Sequence, residues 1–130
     1  MAKISEIISK YIISLYNGRT EGVVENVLFD CVTNKAKFLT VYNNFSDTTF
    51  VLPVNRIYSI GNAAITIRNN SALSLSEDKE LEVSKLCNPI NSSVFLINGD
   101  FIGITNDAIL DDNYYISASF IRSAFSLTIS

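Results

Sequence analysis

The chain has 130 residues, 48% of them hydrophobic and 18% charged, with no tryptophan, no histidine and a formal net charge of −3. That composition belongs to a folded globular chain and excludes a disordered one. Without histidine, a Ser-His-Asp or Cys-His constellation is impossible, and the commonest metal ligand and general base is missing.

The elements read in chain order as follows. Ile4 to Ser9 suits a short helical turn. Tyr11 to Tyr16 is rich in β-branched and aromatic residues and runs into Asn17-Gly18, a strong hairpin signal because both turn residues must accept positive φ. Glu21–Val32 follows as a long strand. Strict alternation puts Val24, Asn26, Leu28 and Asp30 on one face, and Val23, Glu25, Val27, Phe29 and Cys31 on the other. Thr33-Asn34-Lys35 reads as a turn, Ala36–Tyr42 as a strand, Asn43–Asp47 as a polar loop and Thr48–Leu52 as a strand. Pro53 ends that strand or sits on an edge, since it donates no ladder hydrogen bond. Val54–Ile60 leads through Gly61-Asn62 to a last strand, Ala63–Arg68. Residues 69–86 are rich in Ser, Glu, Asp and Lys. Ser74-Leu75-Ser76-Glu77 fits a capping box, and Lys79–Leu86 is either one or two helical turns or a solvated linker.

The second half echoes the first. At an offset of 81, Ile13 falls on Val94, Leu15 on Leu96, Asn17-Gly18 on Asn98-Gly99, Gly22-Val23 on Gly103-Ile104, and Leu28-Phe29-Asp30 on Ile109-Leu110-Asp111. At an offset of 64, Phe50-Val51-Leu52 falls on Tyr114-Tyr115-Ile116. Two offsets imply that the second copy lacks most of the Cys31–Asp47 hairpin. The ordered agreement of both glycine pairs reads as a degenerate duplication.

Residues 3–68 resemble the PRC-barrel family. The likeness rests on Ile4-Ser5-Glu6-Ile7-Ile8, on the strand and turn of 13–18, and on Glu21–Asp30. It rests above all on Phe50–Ile65, which is similar to the short bacterial members linked to sporulation. The resemblance implies an all-β architecture: two small PRC-barrel-like, partly open β-barrel units in tandem, the second truncated. The boundaries expected are 1–69, a polar linker at 70–86 holding any short helix, and a truncated repeat at 87–130. It implies an interaction or scaffold module, with no catalytic residue and no cofactor to carry over.

Charge and chemistry agree with a binding role. Residues 1–69 carry +2, residues 70–86 carry −2 and residues 87–130 carry −3. The one local basic grouping, Arg19, Lys35, Lys37 and Arg56, falls short of the dense patch that a nucleic-acid role needs. Cys31 and Cys87 have no metal-ligand spacing and read as two reduced thiols. With no convincing export signal and no stretch long enough to span a membrane, the expected location is cytoplasmic. Asp107, Asp111, Asp112 and Asn113 form an oxygen-rich cluster whose spacing departs from an EF-hand loop, while Glu77, Asp78, Glu80 and Glu82, interleaved with Lys79, read as a solvated face. Aromatics are plentiful: Tyr42, Phe45, Phe50, Tyr58, Tyr114, Tyr115, Phe120 and Phe125. Adjacent rings cannot share a strand face, so Tyr42, Phe45, Tyr114 and Tyr115 are the candidate partner-binding surface, for another protein or for a second copy. The alternative is a small-molecule or metal-ion binder using the C-terminal carboxylates.

Overall fold

The computed structural model describes residues 2–123; Phe125 and the last part of the expected 87–130 repeat lie outside them. The chain begins with a two-residue strand β1 (Ala2–Lys3), which the sequence did not announce, and a one-turn helix α1 (Ile4–Ile7). In α1 the Glu6 carboxylate accepts the Lys3 amide at 3.3 Å, satisfying a helix-start donor. Strands β2 (Tyr11–Ser14), β3 (Thr20–Phe29), β4 (Ala36–Asn43) and β5 (Thr48–Pro53) follow. A 3-10 turn over Val54–Arg56 leads to β6 (Ile57–Ile60) and β7 (Ala64–Ile67). The polar stretch then gives β8 (Ser74–Leu75), a 3-10 turn over Ser76–Lys79 and the short helix α2 (Glu80–Val83). The last strands described are β9 (Ser93–Phe95), β10 (Phe101–Leu110) and β11 (Ile116–Ser123).

Seven strands form one sheet in the order β6-β7-β2-β3-β4-β5-β8, antiparallel except for the β2–β7 pair. A smaller sheet has the order β1-β10-β11, with β9 also on β10. The sheets curl without closing, as a partly open barrel does. The stretch expected as a linker is in part structural: Ser74 and Leu75 pair with Val51 and Phe50. Ser74 is a strand residue there and caps no helix.

The simple alternation expected along β3 is broken. Val24 pairs with Val41 and Asn26 with Thr40, so Glu25 is an extra residue in the ladder. A bulge of one residue moves the following side chains to the opposite face. Gly22 and Val24 are buried before it, Val27 and Phe29 after it. β10 repeats this pattern 81 residues later. Asn106 is the extra residue between Thr105 and Asp107, and the buried positions are Gly103, Thr105, Ala108 and Leu110. A second shift falls at Leu28/Phe29 in one strand and at Ile109/Leu110 in the other. The offset of 64 has no such counterpart. Tyr114 and Tyr115 occupy a turn, and β11 stands to β10 as β4 stands to β3.

The two parts interlock. β1 pairs with the end of β10, Ala2 opposite Leu110 and Lys3 opposite Ile109. One buried cluster holds Ile4, Ile7, Ile12, Phe29, Leu39 and Ile65 together with Ala108 and Leu110. The later chain also flanks the β3–β4 hairpin on both edges. Phe29 and Cys87 exchange both backbone hydrogen bonds at 2.8 Å, while the Ala36 amide donates to the Tyr114 carbonyl at 2.7 Å. The expectation of two reduced thiols fails here. Cys31 and Cys87 are joined in a disulfide across 56 residues, with a Cα separation of 5.3 Å. The Phe29–Cys87 pairing brings the two backbones within disulfide reach, which their distance in sequence hid.

Candidate functional site

The outer face of the large sheet carries a cross-strand row. Tyr11 lies opposite Val23, Val23 opposite Tyr42, and Tyr42 opposite Thr49. Directly opposed side chains on neighbouring strands meet at about 5 Å, so the row makes a continuous apolar strip. Phe45 extends it from the β4–β5 turn. The Asn43 carboxamide oxygen accepts the amides of Phe45 and Ser46 at 2.9 and 3.2 Å, and the Asn43 amide group donates to the Glu21 carbonyl at 2.9 Å. This Asx turn fixes the backbone and leaves Phe45 94% exposed. Tyr42 is half-buried, and its hydroxyl donates to Asp47 at 2.7 Å. That hydrogen bond, with some burial, raises the phenol above its ordinary pKa.

Gly22 forms the floor. Its φ is +156°, and a Cβ there would lie 2.6 Å from the Tyr42 carbonyl oxygen and 2.7 Å from Val41 Cγ1. The close approach of β3 to β4 therefore needs glycine. Tyr11, Gly22, Tyr42 and Phe45 line a cleft of about 460 Å³. Tyr11, 55% exposed, was not expected here. Its place across Val23 from Tyr42 depends on strand register, which the sequence does not print.

Tyr114 and Tyr115 lie elsewhere, at the β10–β11 turn. Tyr114 has φ +68°, packs against the buried cluster and lines a 250 Å³ pocket with Ala2, Ile7, Ile60, Leu110 and Asp111. Burial pushes its phenol pKa up. Tyr115 bridges to Lys35, whose ammonium stands 5.4 Å from the ring centroid, within cation–π range. The four expected aromatics thus divide: Tyr42 and Phe45 share the cleft, while Tyr114 and Tyr115 join the two parts of the chain.

The carboxylates serve the backbone. Asp111 accepts the amides of Asn113 and Tyr115 at 2.9 and 3.0 Å. Asp107, in mid-β10, accepts the Ser5 amide at 3.1 Å, the Ser5 hydroxyl at 2.5 Å and the Ala108 amide at 2.8 Å. Burial alone would raise the Asp107 carboxyl; the Ser5 hydroxyl, the two amides and nearby Lys3 hold it below its usual value. Among the described residues, no three acidic or cysteine side chains gather as a metal site. The basic residues are dispersed too: Arg19 adjoins Phe45, Lys35 and Lys37 flank Asn55, and Arg56 lies with Arg68.

An aromatic cleft floored by glycine can receive an apolar side chain, with the rim hydrogen-bonding the polar groups that flank it. The family model described as PRC-barrel domain matches residues 1–73. No curated protein matches the chain.

Proposed function

With residues 1–73 of 130 matched, the chain belongs to the PRC-barrel family, and on that premise we propose that it is a non-enzymatic adaptor whose first barrel grips a protein partner in the Tyr11–Tyr42–Phe45 cleft. The exposed Phe45, held out by a hydrogen-bonded turn, carries this reading, because rigidly presented aromatics anchor protein interfaces. The Phe50–Ile65 stretch favours the short, sporulation-linked bacterial branch. The shared bulges and burial pattern of β3 and β10 favour a duplication, with 1–69 and 87–130 as its two copies. Among the described residues no helix is long and apolar enough to cross a membrane. The Cys31–Cys87 bond is characteristic of oxidising conditions, so the fold has its full cross-link there rather than in a reducing cytoplasm.

The test is affinity capture of the full chain from its own cells, with crosslinks mapped to residues. Tyr42→Ala and Phe45→Ala should each weaken capture by at least tenfold, about 1.4 kcal/mol, with both variants folded and the unfolding midpoint of the exposed Phe45→Ala preserved. Undiminished capture by both variants removes this cleft as the docking surface.

A further inference from the structure

The β6–β7 hairpin carries two arginines at its open end. Ile57 pairs with Ile67. Arg56 precedes the one and Arg68 follows the other, so both lie just beyond the same rung. Their backbones are held in place. The 3-10 turn closes with the Ile57 amide on the Val54 carbonyl, and the Arg68 carbonyl accepts the Tyr16 amide at 2.9 Å. The ladder shifts register between Ile57 and Ser59, which makes Tyr58 an extra residue, and a bulge of this kind re-aims its side chain. The Arg68 guanidinium stands over the Tyr58 ring, 5.1 Å from its centroid, a cation–π contact that orients the planar fork. Arg56, Arg68, Tyr58, Asn55 and Ile57 line one recess of about 260 Å³. Among the described residues, no carboxylate lines it, and neither guanidinium forms an ion pair. Like charges held together across a hairpin destabilise it; an anion between them reverses the sign.

We propose that this recess binds a small phosphomonoester through Arg56 and Arg68. Guanidinium forks match phosphoryl oxygens two at a time. The pair carries two positive charges, and a phosphomonoester carries about −1.5 to −2 at pH 7, so the charges balance. A carboxylate or a phosphodiester brings one negative charge and leaves one guanidinium uncompensated. The Asn55 carboxamide and the Tyr58 hydroxyl supply hydrogen bonds for the body that carries the phosphate. A nucleic-acid strand needs a continuous track of cations. Lys35 and Lys37 line another recess that meets this one only at Asn55, and Arg19 lies by Phe45. The recess shares no residue with the Tyr11–Tyr42–Phe45 cleft, so the two readings stand or fall independently.

The experiment is a titration of the oxidised, isotope-labelled full chain at constant ionic strength, followed by amide chemical shifts. The probes are inorganic phosphate and glycerol 3-phosphate, with acetate and dimethyl phosphate as singly charged controls. Both phosphates should give saturable shifts at residues 55–58 and 68, and the controls should bind at least about tenfold more weakly. Arg56→Gln and Arg68→Gln should each weaken phosphate binding by at least about tenfold. Arg68→Lys keeps the charge and loses the fork, so it should fall between wild type and Arg68→Gln. Both arginines are exposed, so the ligand-free variants should unfold at the wild-type midpoint or above it. Absence of a saturable shift overturns the proposal. So do shifts that map away from the recess, an affinity unchanged in both glutamine variants, or acetate bound as tightly as phosphate. A single-stranded oligonucleotide bound more tightly than glycerol 3-phosphate overturns it in favour of a polyanion track.

Discussion

Reducing the Cys31–Cys87 bond should cost this fold a large part of its stability. The bond spans 56 residues. In the chain-entropy account, closing a loop of that length removes about 14 cal/mol/K from the unfolded ensemble, or about 4 kcal/mol at 25 °C. Folded-state losses should be small, because the two Phe29–Cys87 backbone hydrogen bonds hold the strands together without the sulfurs. Both cysteines are exposed, so a small reductant reaches them without prior unfolding. The assay is urea unfolding of the oxidised chain, of the same chain in dithiothreitol, and of the Cys31→Ser/Cys87→Ser double variant. At a urea slope of about 1.5 kcal/mol/M, the midpoint should fall by roughly 2–3 M on reduction. The double variant should match the reduced chain and ignore dithiothreitol. Equal midpoints for oxidised and reduced chains would falsify the loop-closure argument, and two titratable thiols in the native, non-reduced protein would remove the bond itself.

Gly22→Ala should destabilise by about 3 kcal/mol, since the new methyl meets the Tyr42 carbonyl and Val41 and neither backbone can give way; Gly18→Ala, with open space around it and only a left-handed φ of +69° to sustain, should cost about 1 kcal/mol. Equal losses in chemical unfolding would show that contact with β4 is not what demands Gly22. Asp107 ties α1 to β10, and its folded pKa is below its usual 3.8. A depressed carboxyl stabilises the fold fully above about pH 4, and the contribution is lost as pH falls through the lowered folded value. Asp107→Asn should therefore lose about 1 kcal/mol at neutral pH and show a shallower decline of stability toward pH 3. An unchanged acid limb in the variant would assign that decline to other carboxylates.

The family and most of the first barrel were legible in the residues. Asn17-Gly18, the run of β-branched strands and the apolar-Pro stretch around Pro53 are local signals, and local turn chemistry fixes them. Strand ends came within a few residues of those observed for β3, β4 and β5. The offset of 81 was read from the paired Asn-Gly and glycine positions alone, and the matching bulges of the strands that hold Gly22 and Gly103 came from strand pairing. Period-two reasoning then assigned the wrong faces along β3, since a bulge is invisible until the partner strand supplies the count. Tyr42 and Phe45 were named from the surplus of aromatics and from strand alternation, and they share one cleft. Tyr114 and Tyr115 lie at the contact between the two parts of the chain, and Tyr11 comes beside Tyr42 only through strand pairing.

By itself, the sequence determined the class of the chain: strand propensity, turn residues and the absence of histidine leave an all-β chain without imidazole chemistry. The tertiary structure decided what lies far apart in sequence and close in space. It brought Cys31 to Cys87 and set Ala2 against Leu110. Each of these rests on long-range strand pairing, whose register is fixed by burial on both partners at once and so is written in neither segment alone.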